Sequence, residues 1–175
     1  MPEPALSGEV AALVAVQDAL ATPSTVAISR ALSHFGEHAA GWLALSGIAA
    51  VLSPRRRRDW LLVGLGALSA HAAAVLIKLA VRRARPHHPD IRVNVGTPSA
   101  LSFPSAHATS GTAAAILLCR ATGTPLPLLL IPVMALSRLV LGVHYPSDVL
   151  AGMVVGAAVA RVTAHVGGRA EGERP

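Results

Sequence analysis

The sequence predicts an all-α fold: an integral membrane helical bundle of about five spans, preceded by amphipathic N-terminal helices. Three observations predict it. Hydrophobic residues make up 53% of the 175 residues and mean hydropathy is +0.55, high for a soluble domain of this length. The charged 14% falls in short runs between apolar stretches, as expected when water-accessible turns alternate with lipid-buried segments. Polar residues capable of chemistry gather at the edges of those stretches, where they are costly without partners or a role.

Residues 7–21 and 24–36 are apolar at helical intervals but carry Glu9, Gln17, Asp18 and Arg30, with Pro23 between them. They read as two amphipathic helices, lying at the bilayer interface or packing on the bundle. Segment 1–37 is thus set apart from a transmembrane core, 38–166, and a disordered tail, 167–175. A first span covers Ala39 to Leu52, short of the roughly 20 residues a bilayer needs. It stops at Ser53-Pro54 and a basic turn, Arg55 to Arg58. Further spans follow from Trp60 to about Val81, His107 to Cys119, Pro125 to about Val143, and Pro146 to about Val166. Glu3 and Glu9 stand where a secretory signal would be basic, so no cleavable leader is expected.

Span alternation puts the Arg82–Phe103 connection, the His144 region and the N-terminal helices on one side. Arg55, Arg56, Arg57, Arg58, Arg120, Arg161, Arg169 and Arg174 lie on the other, eight cations against four (Arg30, Arg82, Arg83 and Arg92) once Lys78, Arg85 and Arg138 are set aside. The positive-inside rule then faces the polar islands out of the cytoplasm of a bacterial plasma membrane. The net charge of +6 suits anionic lipid or a phosphorylated substrate; 3% aromatic content and no basic helical face argue against nucleic acid. Cys119 sits alone in an apolar run and excludes an internal disulfide framework.

The islands have the chemistry of phosphoryl transfer. Lys78 and Arg85 are seven residues apart, two turns of a helix that would continue to Pro86, so both would project from one face. Pro104-Ser105 begins an apolar helix: Ser105 can cap it, and the free amides of Ala106 and His107 make an anion cradle. Pro146 suits a first helical turn, placing Asp148 to reach back to His144, fix its tautomer and leave the other nitrogen as a nucleophile. Lys78, Arg85, Ser105, Ala106 and Arg138 would then bind the phosphate. His144 would form a phosphohistidine, Asp148 would stabilise its imidazolium, and His107 would protonate the leaving alkoxide and later activate water. No metal or cofactor is required.

These residues resemble the type 2 phosphatidic acid phosphatase superfamily, whose motifs read Lys-x6-Arg-Pro, Pro-Ser-Gly-His and Ser-Arg-x5-His-x3-Asp. They stand here as Lys78 to Pro86, Pro104 to His107, and Ser137-Arg138 to Asp148, with Ala106 in place of the usual glycine. The resemblance covers about residues 60–166 and implies a helical membrane bundle that dephosphorylates a lipid-linked phosphate without a metal; vanadium haloperoxidases share the core. Small alanine- and arginine-rich members include actinobacterial enzymes assigned to decaprenylphosphoryl-5-phosphoribose dephosphorylation. On size and overall likeness, such a polyprenyl phosphosugar of cell-wall arabinan synthesis is the leading substrate expectation; undecaprenyl diphosphate and phosphatidylglycerophosphate stay open.

Other classes account for fewer residues. A metal hydrolase would recruit His34 and His38, or His87 and His88, without the usual acidic or cysteine partners. A serine hydrolase built on Ser105, His144 and Asp148 leaves Lys78, Arg85 and Arg138 unexplained. A lipid-binding scaffold has no need of His107 or the His144-Asp148 pair. Gly152 and Gly156 offer a small-residue face for a homodimer or for close packing inside one bundle.

Overall fold

The computed structural model describes residues 8–172, and every regular element among them is helical. In chain order these are α1 (Gly8–Leu20), α2 (Pro23–Gly36), α3 (Ala40–Leu52), α4 (Arg57–Val81), α5 (Ala106–Thr122), α6 (Leu130–Val140) and α7 (Pro146–Gly172). Three stretches are long and apolar enough to cross a membrane: Pro23–Leu52, Pro54–Val81 and Pro146–Gly167. Leu126–Val140 is a shorter apolar stretch.

The 17-residue α5 lies between α4 and α7 at the centre; α3 packs on α4, and α6 on α5 and α2. Alanine makes this centre close-fitting. Ala67 and Ala70 of α4, Ala113 and Ala114 of α5 and Ala160 of α7 are buried around Val63, Leu117 and Met134, and such small side chains let backbones approach. A Cβ at Gly152 would come 2.7 Å from the Ser105 carbonyl oxygen, and one at Gly156 would collide with that of Thr109. The small-residue face of α7 is therefore occupied by α5 of the same chain. Outward, Leu61, Leu65, Leu68, Leu76 and Leu79 of α4 and Leu150, Val154, Val162 and Val166 of α7 are exposed, an apolar flank suited to lipid tails.

Several helix ends differ from expectation. α4 stops at Val81, short of the continuous helix to Arg85. Arg82 turns left-handed at φ 54 and its amide donates to the Lys78 carbonyl at 2.9 Å. The Ser102 amide then holds the Arg83 carbonyl at 2.8 Å, and Pro86 disfavours helical geometry at Arg85. At its start α4 takes in Arg57, Arg58 and Asp59 as its first turn. α6 ends at Val140 instead of Val143, because Gly142 adopts φ 70 and its amide donates to the Leu139 carbonyl at 2.9 Å. α7 passes Val166 and runs to Gly172. Residues 173–175 of the expected tail, and 1–7 at the N-terminus, lie outside the described residues.

The N-terminal helices pack on the bundle. α2 continues into α3 through a kink at His38 and Ala39, both left-handed at φ 51 and φ 60; for a residue with a Cβ this costs roughly 1–2 kcal/mol each. Leu13 and Val10 of α1 bury against Ile91. Buried Gln17 accepts from the Arg92 amide at 3.0 Å and donates to the Arg92 and Val140 carbonyls at 2.7 and 3.1 Å. This pins the α4–α5 connection to the bundle. At the far end, Arg56 donates to the Ala121 carbonyl at 3.1 Å and Arg58 to that of Gly167, so the basic turn caps the C-terminal end of α5 and also reaches α7.

Candidate active site

Several chain ends meet at the other end of the bundle. Lys78 sits in the last turn of α4, Arg85 in the connection, Ala106 and His107 at the start of α5, Arg138 in the last turn of α6, and His144 just before α7. All six line one cavity of about 390 Å³. Ser105 and Asp148 do not line it; both are fully buried behind it.

Neutral acceptors hold the three cations. Lys78 Nζ donates to the Leu101 and Ser102 carbonyls at 3.0 and 2.8 Å. Arg85 Nε donates to the Ser99 carbonyl at 2.8 Å and Nη1 to that of Val143 at 2.7 Å. Arg138, only 1% exposed, donates from Nε to Ser137 Oγ at 3.1 Å, from Nη1 to Ser33 Oγ at 3.0 Å and from Nη2 to the Ser29 carbonyl at 3.2 Å. Carbonyls and hydroxyls orient these side chains without neutralising them. Three positive charges facing one cavity, Lys78 and Arg138 buried and Arg85 half-buried, favour an anion within it.

His144 is positioned to offer a lone pair. Its Nε2 lies 3.3 Å from Arg85 Nη1; because a guanidinium can only donate, Nε2 accepts and the proton belongs on Nδ1. Burial, above all, pushes this imidazole down to about 4, with Arg85 and Lys78 acting the same way and Asp148 opposing them. The ring is therefore neutral near pH 7, with the lone pair on Nε2.

The expected tight His144–Asp148 hydrogen bond is corrected to a looser approach. Nδ1 is 3.5 Å from Asp148 Oδ2, and at that length Nδ1 has no hydrogen-bond partner among the described residues. The carboxylate is already engaged: Oδ2 accepts from the Tyr145 amide at 2.8 Å and Oδ1 from Arg83 Nη1 at 3.0 Å.

At the start of α5, Ser105 does cap the helix, accepting from the Ala108 amide at 3.4 Å. Its own amide donates to the Asp148 carbonyl at 2.9 Å. The hydroxyl is thus committed to the cap, away from the cavity, while the amides of Ala106 and His107 have no intrahelical acceptor. His107 Nε2 lies 2.9 Å from the Ser33 carbonyl oxygen, which only accepts, so Nε2 donates and Nδ1 carries the lone pair in the neutral ring.

Arg83 is the residue that sequence reasoning missed. It donates to Ser147 Oγ at 2.7 Å, to Asp148 Oδ1 at 3.0 Å and to Glu9 Oε2 at 2.5 Å, and stacks 4.1 Å above the Tyr145 ring. Glu9 also accepts from the Ser147 amide at 3.2 Å, and these bonds, from Ser147 and then Arg83, hold its carboxyl below the usual range. Helix α1 is thereby tied to the turn that carries His144 and Asp148. The available signal was Arg83's place inside the Lys78-to-Pro86 motif.

The family model that matches this chain is the PAP2 superfamily, over residues 59–171. The chain belongs to that superfamily. Among its relatives, a decaprenylphosphoryl-5-phosphoribose phosphatase of Mycobacterium tuberculosis (strain ATCC 25618 / H37Rv) is 62% identical over 169 residues, 96% of each chain. The enzyme of the same name from Mycolicibacterium smegmatis is 68% identical over 146 residues, 83% of this chain and 81% of the relative. In fold, the chain is similar to a transmembrane PAP2 type phosphatidylglycerolphosphate phosphatase from Bacillus subtilis, at TM-score 0.70 and 20% identity, covering 94% of this chain and 87% of that one. Aquifex aeolicus LpxE gives TM-score 0.69 at 15% identity, covering 94% and 99%. This PAP2 chain is an all-helical integral membrane phosphatase.

Proposed function

We propose that this PAP2 phosphatase removes the 5-phosphate of a polyprenylphosphoryl-5-phosphoribose, with the decaprenyl compound as its natural substrate, in cell-wall arabinan precursor synthesis. The observation that carries the reading is the convergence of Lys78, Arg85 and Arg138 with His107 and His144 on one cavity. The names of relatives 62% and 68% identical supply the lipid-linked sugar.

The chemistry follows from the geometry. Lys78, Arg85, Arg138 and the α5 amides hold the three equatorial oxygens as charge spreads over them. His144 Nε2 attacks phosphorus in line, forming a P–N bond as the bond from phosphorus to the sugar oxygen breaks. With its Nε2 hydrogen on the Ser33 carbonyl, His107 gives the departing alkoxide a proton carried on Nδ1. A water then returns a proton to His107 and adds its oxygen to phosphorus; the P–N bond breaks, inorganic phosphate leaves, and His144 is restored. Asp148, held by Arg83 and Tyr145, stabilises the positive charge on His144 in both steps.

The cavity end of the bundle faces outward from a bacterial plasma membrane in this reading, because the Arg55–Arg58 turn marks the cytoplasmic side. Cysteines introduced at Arg92 and Arg57 test it: labelling of the Arg92 site only from the cytoplasm reverses the orientation.

The substrate is tested by phosphate release in detergent, with EDTA present, from prenylphosphoryl-5-phosphoribose, prenyl diphosphate and phosphatidylglycerophosphate. Preference for the phosphosugar is expected. Inertness toward all three, with cleavage of a soluble phosphomonoester, overturns the lipid assignment.

A further inference from the structure

The cavity extends beyond the phosphate-binding cluster. His71, Val75 and Lys78 lie on one face of α4 at i, i+4 and i+7, so the lining reaches about 10 Å down the helix from Lys78. At that depth His38 meets His71, with ring centroids 5.7 Å apart, and both line the same cavity as His144. The mechanism above uses neither. His71 lies near the middle of the apolar helix α4, where an ionisable side chain marks a functional site, and His38 comes to it from the kink between α2 and α3.

Two further observations point to a ligand between them. His71 Nδ1 is buried and has no hydrogen-bond partner among the described residues, an unmet demand that a bound polar group would answer. His38 is held in the left-handed region at φ 51, followed by Ala39 at φ 60, and such strain concentrates at ligand sites.

The position selects which part of a substrate arrives there. In the mechanism proposed above, His107 gives its proton to the leaving oxygen, so that oxygen lies beside His107. It also packs against the wall that leads to His38: a Cβ at Gly36 would stand 2.7 Å from His107 Cδ2. Whatever is bonded to the leaving oxygen therefore continues toward His38 and His71. Glu37 lines the same cavity. Imidazoles, which donate and accept, together with a carboxylate that accepts, match hydroxyl groups.

Resting on the substrate reading above, we propose that His38 and His71 form a pentose subsite, hydrogen-bonding the ring hydroxyls of the sugar whose 5-phosphate lies among Lys78, Arg85 and Arg138. They would thereby select a phosphosugar over a phosphate attached directly to the prenyl chain.

The test compares a short-chain prenylphosphoryl-5-phosphoribose with farnesyl phosphate in wild type, His38→Ala and His71→Gln. The readout is the ratio of the two kcat/KM values within each preparation, which cancels partial loss of folded protein. The expected result is a wild-type preference for the phosphosugar that falls at least 10-fold in either variant, through KM. A wild-type preference unchanged in both variants overturns the subsite and leaves the proposed substrate standing. No preference in wild type overturns the substrate reading, and the sugar occupant with it.

Discussion

Arg83 Nη1 lies 3.0 Å from Asp148 Oδ1, so the carboxylate behind His144 is held by a cation from the α4–α5 connection as well as by the Tyr145 amide. The same guanidinium reaches Glu9 on α1. Arg83 does not line the cavity; it positions Asp148, the carboxylate behind His144. A hydrogen bond to a charged group is worth about 1.5–3 kcal/mol. Arg83→Ala should therefore lower kcat by about 10- to 100-fold with little change in KM. Arg83→Lys, which keeps charge but loses the fork, should fall between. A large rise in KM with kcat preserved would assign Arg83 to substrate binding instead.

The two histidines should separate kinetically. His144→Ala should abolish both turnover and the acid-labile phosphoenzyme trapped from radiolabelled substrate. His107→Ala should lose about 10²- to 10⁴-fold on the natural alkoxide leaving group. Its loss should be much smaller on an aryl phosphate, whose leaving group needs no proton. Equal losses on both substrates would remove His107 from the acid role.

His144 should titrate far below an ordinary histidine. Burial and the neighbouring cations put its protonation near 4, against about 6.5 for a free imidazole. Proton NMR of the detergent-solubilised protein, with His144→Gln to assign the resonance, should find it neutral at pH 5.5. The unfolded ring binds a proton at higher pH than the folded one, so stability falls as pH drops from about 6.5 toward 4. A midpoint above 6 would remove the case for a buried, cation-flanked nucleophile.

Ser105 should behave as a cap. Its hydroxyl accepts from the Ala108 amide, so Ser105→Ala should cost about 1 kcal/mol of stability while KM for the phosphosugar stays within a factor of about three. An unchanged thermal midpoint combined with a 10-fold rise in KM would return Ser105 to the phosphate site.

The site was legible where helix ends carry the chemistry. Lys78, His107, Arg138 and His144 sit within a turn of an apolar boundary, so their place along the chain already implied a shared surface. Arg83 was hidden because its partners, Glu9 and Ser147, are 74 and 64 residues away and because arginine is a good helix former. The early end of α4 was obscured for the same reason, although Pro86 already disfavoured a helix through Arg85. The left-handed pair at His38 and Ala39 had no local signature: neither is glycine or asparagine, and only the packing of α2 and α3 onto the bundle imposes that geometry. Motif spacing located the residues that line the cavity, and long-range contacts decided how they are braced.

The bond from the Ser105 amide to the Asp148 carbonyl joins the starts of α5 and α7 into one block, reinforced by the close approach at Gly152 and Gly156. The backbones that carry His107 and His144 thus keep a fixed separation, while Ser33 of α2 orients the His107 ring. Such an arrangement lets the kink after α2 drift during evolution, retuning which alcohol is accepted, so long as Ser29 and Ser33 keep their hold on Arg138 and His107.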